Sequence, residues 1–273
     1  MAKISFIVLT KDRPDTIKNF LKNHEFLLNK LDSQFIIIDG SKKNNLLKNK
    51  IIIKRYKKIK FYKQKSKGFM NGCFESIKYV NSKYCTFLYD DDLLSNEIIK
   101  VFKNSIASNF SMGFGIVENL GINSSQNKNH FKKITFESYN SEDLILGYYG
   151  KKIRNISFMP VSPICMIFKT NFLNYWKKYI LKFCKKSKFR KLFLLKKNIG
   201  PDLILYLLQI LKNKSIKISN PFVAKFNAHD ASMSLLLGKN NLQIGYWLAK
   251  KSIFDNHLLY DKKVILKVYN FLY

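Results

Sequence analysis

The chain alternates short apolar runs with stretches whose apolar residues recur at helical spacing. Ile4–Thr10 (ISFIVLT) is a continuous apolar run of strand length, the pattern of a strand buried on both faces. Pro14 suits the first turn of a helix, and Ile17, Phe20, Leu21, Leu27, Leu28 and Leu31 follow at helical spacing. Phe35–Asp39 reads as a second buried strand, stopped by Gly40-Ser41, and Ile59–Tyr62 as a third. Met70, Phe74, Ile77 and Val80 make another helical stripe, and Tyr84–Tyr89 is a fourth strand running into Asp90, Asp91 and Asp92. A β-α-β-α-β series predicts a Rossmann-like α/β fold: an open, mainly parallel sheet flanked by helices.

The second half is less regular. Ser111–Val117 and Ile164–Phe168 read as strands, Asn119–Asn129 as a polar loop, and Leu203–Leu211 as a strongly apolar helix. Ile216–Ile218 and Phe222–Phe226 are short strand candidates, while Leu242–Phe254 and Lys263–Leu272 have helical patterns. There is no internal repeat and no Gly/Ser linker. The expectation is one continuous unit over residues 1–235 with a helical C-terminal extension over 236–273.

Composition and charge change this picture only in part. With 273 residues, 47% hydrophobic and 25% charged, the chain can bury a sizeable core. A net charge of +31 favours polyanions such as nucleic acid, an anionic membrane surface or phosphorylated small molecules. Yet Arg supplies only four of the 49 basic residues, and nucleic-acid readers lean on its bidentate fork. The abundance of Lys, Asn, Ile, Phe and Tyr also fits an AT-rich genome, so a nucleic-acid partner is not expected from charge alone. The densest basic stretch, Lys177–Lys197, holds ten Lys/Arg and no acid, with aliphatic and aromatic residues interleaved. It reads equally as an interfacial helix on anionic lipid and as a solvated helix. No run approaches the roughly 20 apolar residues that span a bilayer, and the first apolar run is too short for a signal peptide. Cys73, Cys85, Cys165 and Cys184 are scattered, which excludes a zinc ribbon and argues against a disulfide framework. A cytoplasmic protein is expected, with the inner face of a membrane as the place for any peripheral association.

In open α/β sheets ligands gather at the carboxyl ends of the strands. Three polar clusters fall there: Thr10-Lys11-Asp12-Arg13, Asp39-Gly40-Ser41 and Asp90-Asp91-Asp92. Asp39 reads equally as an ordinary turn residue. Three adjacent carboxylates after an apolar strand repel one another unless a cation or donors offset them. Hard oxygen ligands in a row suit Mg²⁺ or Mn²⁺, which take one or two carboxylates plus substrate phosphates. No G-x-G-x-x-G follows the first strand and no Walker A lysine motif is present, which removes the main support for a dinucleotide site.

Taken in order, ISFIVLTKDRP, FIIIDGS, KGFMNGC, YCTFLYDDDLL, MPVSPICMIF, GPDLILYL and HDASMS resemble a family 2 glycosyltransferase of the GT-A fold over about residues 3–235. The resemblance implies a nucleotide-sugar half over about 1–110 and an acceptor half over 111–235. It implies that Thr10, Asp12 and Arg13 hold the nucleotide of the donor and that Asp39 accepts a hydrogen bond from its base. Asn71 would lie near the phosphates, where Lys65 or Lys67 would supply the positive charge that Met70 lacks, and Asp90 near the donor ribose or sugar. Asp91 would bind the metal, Mn²⁺ or Mg²⁺, with Asp92 beside it and His229 touching metal or diphosphate. Asp202, in Gly200-Pro201-Asp202-Leu203, would be the general base that deprotonates the acceptor. Its place in a helix's first turn supports that role, and equally fits an ordinary N-terminal Asp. The loop Ser157–Phe168 would line the acceptor side. Gly40 and Met70 depart from the family pattern, which often has Asp and Arg there.

The implied activity is an inverting, metal-dependent transfer from a nucleoside diphosphate sugar, UDP-sugar first, to a saccharide or lipid-linked hydroxyl. Cell-surface polysaccharide or lipopolysaccharide synthesis is the implied setting. A nucleotidyltransferase on a related sheet would need the acidic cluster but not Asp202. A basic nucleic-acid-binding protein would explain the charge and leave the Asp triplet without a role.

Overall fold

The apolar runs become the centre of one nine-stranded sheet in the computed structural model, which describes residues 3–108, 110–119, 135–154, 156, 159–160, 162–228 and 233–258. His229, the stretch beyond Asn119, Ser157, Phe158, Val161 and the expected helix over Lys263–Leu272 lie outside the described residues. The chain runs β1 (Ile4–Thr10), α1 (Pro14–Lys30), β2 (Ser33–Asp39), α2 (Lys43–Ile53), β3 (Ile59–Lys63), α3 (Phe69–Ser76) and β4 (Tyr84–Tyr89). It continues through β5 (Leu93–Leu94), α4 (Ile98–Ser108), β6 (Phe110–Asn119), β7 (Thr135–Asn140), α5 (Ser141–Tyr149) and β8 (Met166–Lys169). Helices α6 (Phe172–Lys185), α7 (Lys188–Lys191) and α8 (Pro201–Leu211) follow, then β9 (Ser215–Ala228) and α9 (Met233–Ile253).

The strand order is β3-β2-β1-β4-β8-β6-β9-β5, with β7 also paired to β9. The expected open sheet with flanking helices is present. Its parallel character belongs to β3-β2-β1-β4 and to the β6–β9 pair, while β8, β5 and β7 pair antiparallel. Register is what builds the site. Thr10 lies opposite Asp39 and Leu9 opposite Tyr89, so β1, β2 and β4 end level with one another. The three polar clusters that follow those strands therefore emerge side by side.

Both faces of β1 are buried, as its continuous apolar run requires. Ile4, Phe6 and Val8 join Phe35, Ile37 and Leu88 under α1 and α4, while Ile7 and Leu9 face the core under α3, α5, α6 and α8. The strand expected over Ile164–Phe168 starts later than its pattern, because Pro163–Cys165 forms a 3-10 turn ahead of β8. Pro163 has no N–H to offer a ladder. The two short strands expected at Ile216–Ile218 and Phe222–Phe226 fuse into β9, with register shifts opposite Phe114 that accommodate Pro221.

Tertiary packing divides the basic stretch. Within α6, Ile180, Phe183 and Cys184 are buried in the main core, and the π turn Leu192–Lys196 buries Phe193 and Leu194. Of the interleaved apolar residues, Phe189 and Leu192 remain exposed. The first part of the C-terminal extension is likewise packed inward. Helix α9 is broken at Gly238 (φ 73°), and beyond the break Ala249 and Ile253 are buried in the main core. Among the described residues no helix is long and apolar enough to cross a membrane.

One buried histidine ties this frame to the acidic turn. His24 on α1 is fully buried, and its Nε2 accepts the Leu94 N–H at 2.9 Å. Its Nδ1 must then carry the proton and donate to the Phe20 carbonyl at 2.8 Å. Burial lowers its pKa from 6.5 to about 4. The unfolded chain therefore binds the proton first as pH falls. The stability contributed by the neutral ring is complete above pH 6.5 and is lost as pH falls toward about 4. The loss should reach about 3 kcal/mol at most. Denaturant midpoints between pH 7 and pH 4 should show this decline in the wild type and a flatter profile in His24→Ala.

Candidate active site

The acidic turn after β4 is held from four directions. Thr10, at the end of β1, donates its hydroxyl to Asp90 Oδ2 at 2.6 Å. Arg13, just before α1, places Nη1 3.1 Å from Asp90 Oδ1 and 2.8 Å from Asp91 Oδ2. Asn227 on β9 donates its backbone N–H to Asp92 Oδ1 at 3.2 Å and its side-chain amide to the Asp91 carbonyl. His24 holds Leu94 just beyond. The carboxylates differ as a result. Asp90 is buried and raised by that burial, against the bonds from Thr10 and Arg13. Asp92 is pushed up to about 8 by burial, with Asp91 and Asp90 adding to the rise and the Asn227 N–H opposing it.

Asp39 lies fully buried at the end of β2. Its Oδ1 accepts the Ser41 N–H at 2.7 Å and its Oδ2 the Asn49 amide at 2.8 Å. Each oxygen keeps a lone pair for a further donor. The Asp12 carboxylate turns instead to the start of α2, accepting from Lys42 N at 2.9 Å and Asn45 Nδ2 at 3.2 Å. Asp12 adopts φ 56°, the left-handed turn that lets its own N–H reach Ser41 Oγ at 2.6 Å. Lys67 is exposed on the loop after β3, and Asn71 closes that loop by donating to the Lys67 carbonyl at 2.7 Å. Met70 is buried in the core, away from any phosphate role.

Two residues that hold this loop, Gln64 within it and Glu75 on α3, escaped sequence reasoning. Gln64 donates to the carbonyls of Ser66 and Gly68, and Glu75 accepts the N–H groups of Lys65 and Ser66 at 2.9 and 2.7 Å. Gly40 and Gly72 leave the room for Gln64: a Cβ on either would stand 3.0 Å from its Oε1.

Asp202 sits in the first turn of α8, with Pro201 before it and Gly200 as cap at φ 102°. Its Oδ1 accepts its neighbour Leu203 N–H at 2.8 Å, and Tyr246 on α9 points its hydroxyl at Oδ2, 3.4 Å away. Burial raises its pKa to about 6, against those donors and the backbone N–H groups of the helix start. The turn is clamped from both sides. Trp176 on α6 donates Nε1 to the Pro201 carbonyl at 2.9 Å. On the other side α9 crosses without side chains: a Cβ on Gly200 would lie 2.7 Å from the Gly245 carbonyl, and one on Gly245 would lie 2.2 Å from Ile199. Tyr246 and Asn227 were not foreseen; each lies far along the chain from the carboxylate it serves, and no local pattern marks either.

Tyr89 joins the two acidic groups. Burial holds its phenol well above its ordinary pKa, and the charges of Asp202 and Asp92 both add to that rise. A small cavity lined by Phe69, Tyr89, Trp176, Asn198 and Asp202 opens beside them. For a metal the donor set is narrow. Among the described residues no three His, Cys, Asp or Glu side chains converge, and both Asp90 oxygens are engaged. Asp91 and Asp92, each with one oxygen held by Arg13 or Asn227, are the candidate ligands, and two carboxylates completed by substrate phosphates would suit Mg²⁺ or Mn²⁺. Burial raises the Asp92 pKa first and the charges of Asp91 and Asp90 add to it, a repulsion that a cation between these carboxylates would relieve.

No protein-family profile and no curated protein matches the sequence. Solved structures do match. The chain is similar to Staphylococcus aureus TarS 1–349 in complex with UDP-GlcNAc, with a TM-score of 0.60 at 15% identity over 98% of this chain and 72% of that one. A second crystal structure of TarS 1–349 gives a TM-score of 0.57 at 15% identity, over 98% of this chain and 71% of that one. Glucosyl-3-phosphoglycerate synthase from Mycobacterium tuberculosis, with Mn²⁺, UDP-glucose and phosphoglyceric acid, gives 0.53 at 9% identity over 93% and 79%. Identities this low speak to architecture: the chain has the GT-A glycosyltransferase fold.

Proposed function

We propose that the chain is an inverting glycosyltransferase that moves a sugar from a nucleoside diphosphate sugar to a hydroxyl acceptor. The observation that carries this reading is Asp202, a buried carboxylate with pKa raised to about 6 that lines the same cavity as Tyr89, the residue leading into the Asp90–Asp92 turn. A nucleotidyltransferase would leave Asp202 without a task. The similar structures hold UDP-GlcNAc and UDP-glucose, which supports a UDP-sugar donor, and one holds Mn²⁺.

Asp39 would accept from the base, and Thr10 and Arg13 would fix the acidic turn beneath the diphosphate. Lys67 and Asn71 stand on the loop that would flank the phosphates. Asp91 and Asp92 would hold the divalent cation, with His229 following β9 in sequence. When bound, that cation supplies charge neutralisation for the departing nucleoside diphosphate. Asp202 takes the proton of the acceptor hydroxyl as its oxygen attacks the anomeric carbon. The new C–O bond forms while the C–O bond to the diphosphate breaks, and the diphosphate leaves with the electron pair. A pKa near 6 leaves Asp202 largely ionised at neutral pH and still able to hold a proton. The exposed Phe189 and Leu192 among the lysines of 177–197 support contact with an anionic membrane surface that presents a lipid-linked acceptor.

Asp202→Asn should abolish transfer while UDP-sugar binding, read by thermal shift, is retained; unchanged turnover would remove Asp202 as the base. Wild-type turnover should fall below about pH 6. Tyr246→Phe removes a donor that favours the carboxylate, so its acid limb should move to higher pH; a pH–rate profile decides this. Excess chelator should stop turnover and added Mn²⁺ or Mg²⁺ restore it, with Asp91→Asn weakening the restoration; full activity in chelator would exclude the metal role.

A further inference from the structure

In a chain with 49 basic residues, a lysine is informative where the fold has taken it out of water. Lys100, Lys151 and Lys251 face Glu97, Asp143 and Asp255 on the surface. Lys250 is different. It lies half-buried on α9, and among the described residues no carboxylate stands within ion-pair distance of its ammonium. Its nearest aromatic face is the Tyr149 ring, 6.0 Å from Nζ. Burial pushes the Lys250 ammonium below its ordinary pKa.

Lys250 lines a cleft of about 350 Å³ between α5, the start of α8 and α9, together with Tyr148, Tyr149, Met159, Leu203 and Tyr246. That volume falls in the range of small-molecule sites, about 300–1,000 Å³. Tyr246 and Lys250 stand one turn apart on the same face of α9. Tyr246 reaches Asp202 Oδ2, so the ammonium lies one helical turn along α9 from the residue that contacts the base. The wall is fixed: the Tyr149 hydroxyl donates to the Lys250 carbonyl at 2.7 Å, and Tyr148 donates to the Pro160 carbonyl at 2.5 Å.

We propose that this cleft is the acceptor subsite and that it selects a saccharide acceptor bearing an anionic group, phosphate or carboxylate, which Lys250 meets. This rests on Asp202 being the base of a sugar transferase. The half-buried Tyr246 offers an apolar ring against which a sugar ring packs, over a wall that the buried Tyr148 and Tyr149 support. A partly desolvated ammonium without a counter-charge gains most from an incoming anion, because the contact is charge-assisted. Neutral sugars would leave it uncompensated.

Calorimetric titration of the full chain with glucose 6-phosphate, glucuronate and methyl glucoside tests this. Both anionic probes should bind more tightly than the neutral one, and the pair distinguishes phosphate from carboxylate. Lys250→Gln should weaken the anionic probes roughly tenfold, a difference of about 1.4 kcal/mol, and leave methyl glucoside unchanged. Lys250→Arg should restore binding, and Lys251→Gln should have no effect. Equal affinity for charged and neutral probes, no binding of the anionic probes, or equal losses in Lys250→Gln and Lys251→Gln would overturn the proposal. Turnover separates the two readings. Transfer from a UDP-sugar to an anionic sugar acceptor that is indifferent to Lys250→Gln rejects the anionic subsite alone. Anion binding through Lys250 with no cleavage of any UDP-sugar rejects the transferase reading and keeps the anion site.

Discussion

Three consecutive carboxylates at the end of a buried strand have to be offset, and much of the surrounding architecture serves that requirement. Arg13 bridges Asp90 and Asp91, Thr10 takes the second Asp90 oxygen, and Asn227 holds Asp92 and the Asp91 carbonyl. These groups come from β1, the entry to α1 and β9, so they meet only when the sheet is assembled in register. His24 extends the brace by fixing Leu94 from α1. Even so, burial, with the charges of Asp91 and Asp90 adding to it, keeps the Asp92 pKa raised.

The second acidic centre depends on close backbone approach rather than on charge. Gly200 and Gly245 let α9 cross directly against the turn that carries Asp202, and Trp176 holds the same turn from α6. The crossing brings Tyr246 to the carboxylate and aligns Lys250 along the neighbouring cleft. Helix α9 is thus part of the wall around Asp202, and α6, whose basic face stands out in the sequence, contributes mainly through its buried side.

Legibility followed the physics of each segment. Strands β1 and β4 were readable to the residue, since burial on both faces leaves an unbroken apolar run between polar turns. Helix α2 was not, because KNNLLKNKIII has no apolar period and the residues it buries are Asn49 and Ile53. Strand β7, TFESYN, is an outlying strand paired only to β9 with no buried residue in it, so it shows no alternation to detect. Helix α5 carries its signal in its cap, where Asn140 accepts the Glu142 N–H at 2.7 Å, a cue easily lost inside a polar stretch. Among the candidate site residues, Thr10, Arg13, Asp39, Asp90, Asp91, Asp92 and Asp202 lie in strand-end or helix-start positions that local pattern exposes. Asp12 lies there too, but its carboxylate is spent on the start of α2.

By itself the sequence determined where strands end and which polar residues follow them, because hydrophobic period and turn chemistry are local. It also showed that acids cluster against a strongly basic background. The tertiary structure alone decided which of those acids are engaged and by whom. Tyr246 meets Asp202 across 44 residues, and Asn227 meets Asp92 across 135. Such pairs are set by strand register and by the crossing of glycine backbones, and neither leaves a periodic trace in the chain. The same is true of Lys250: among so many lysines, only packing could show that this one is half-buried beside a cleft.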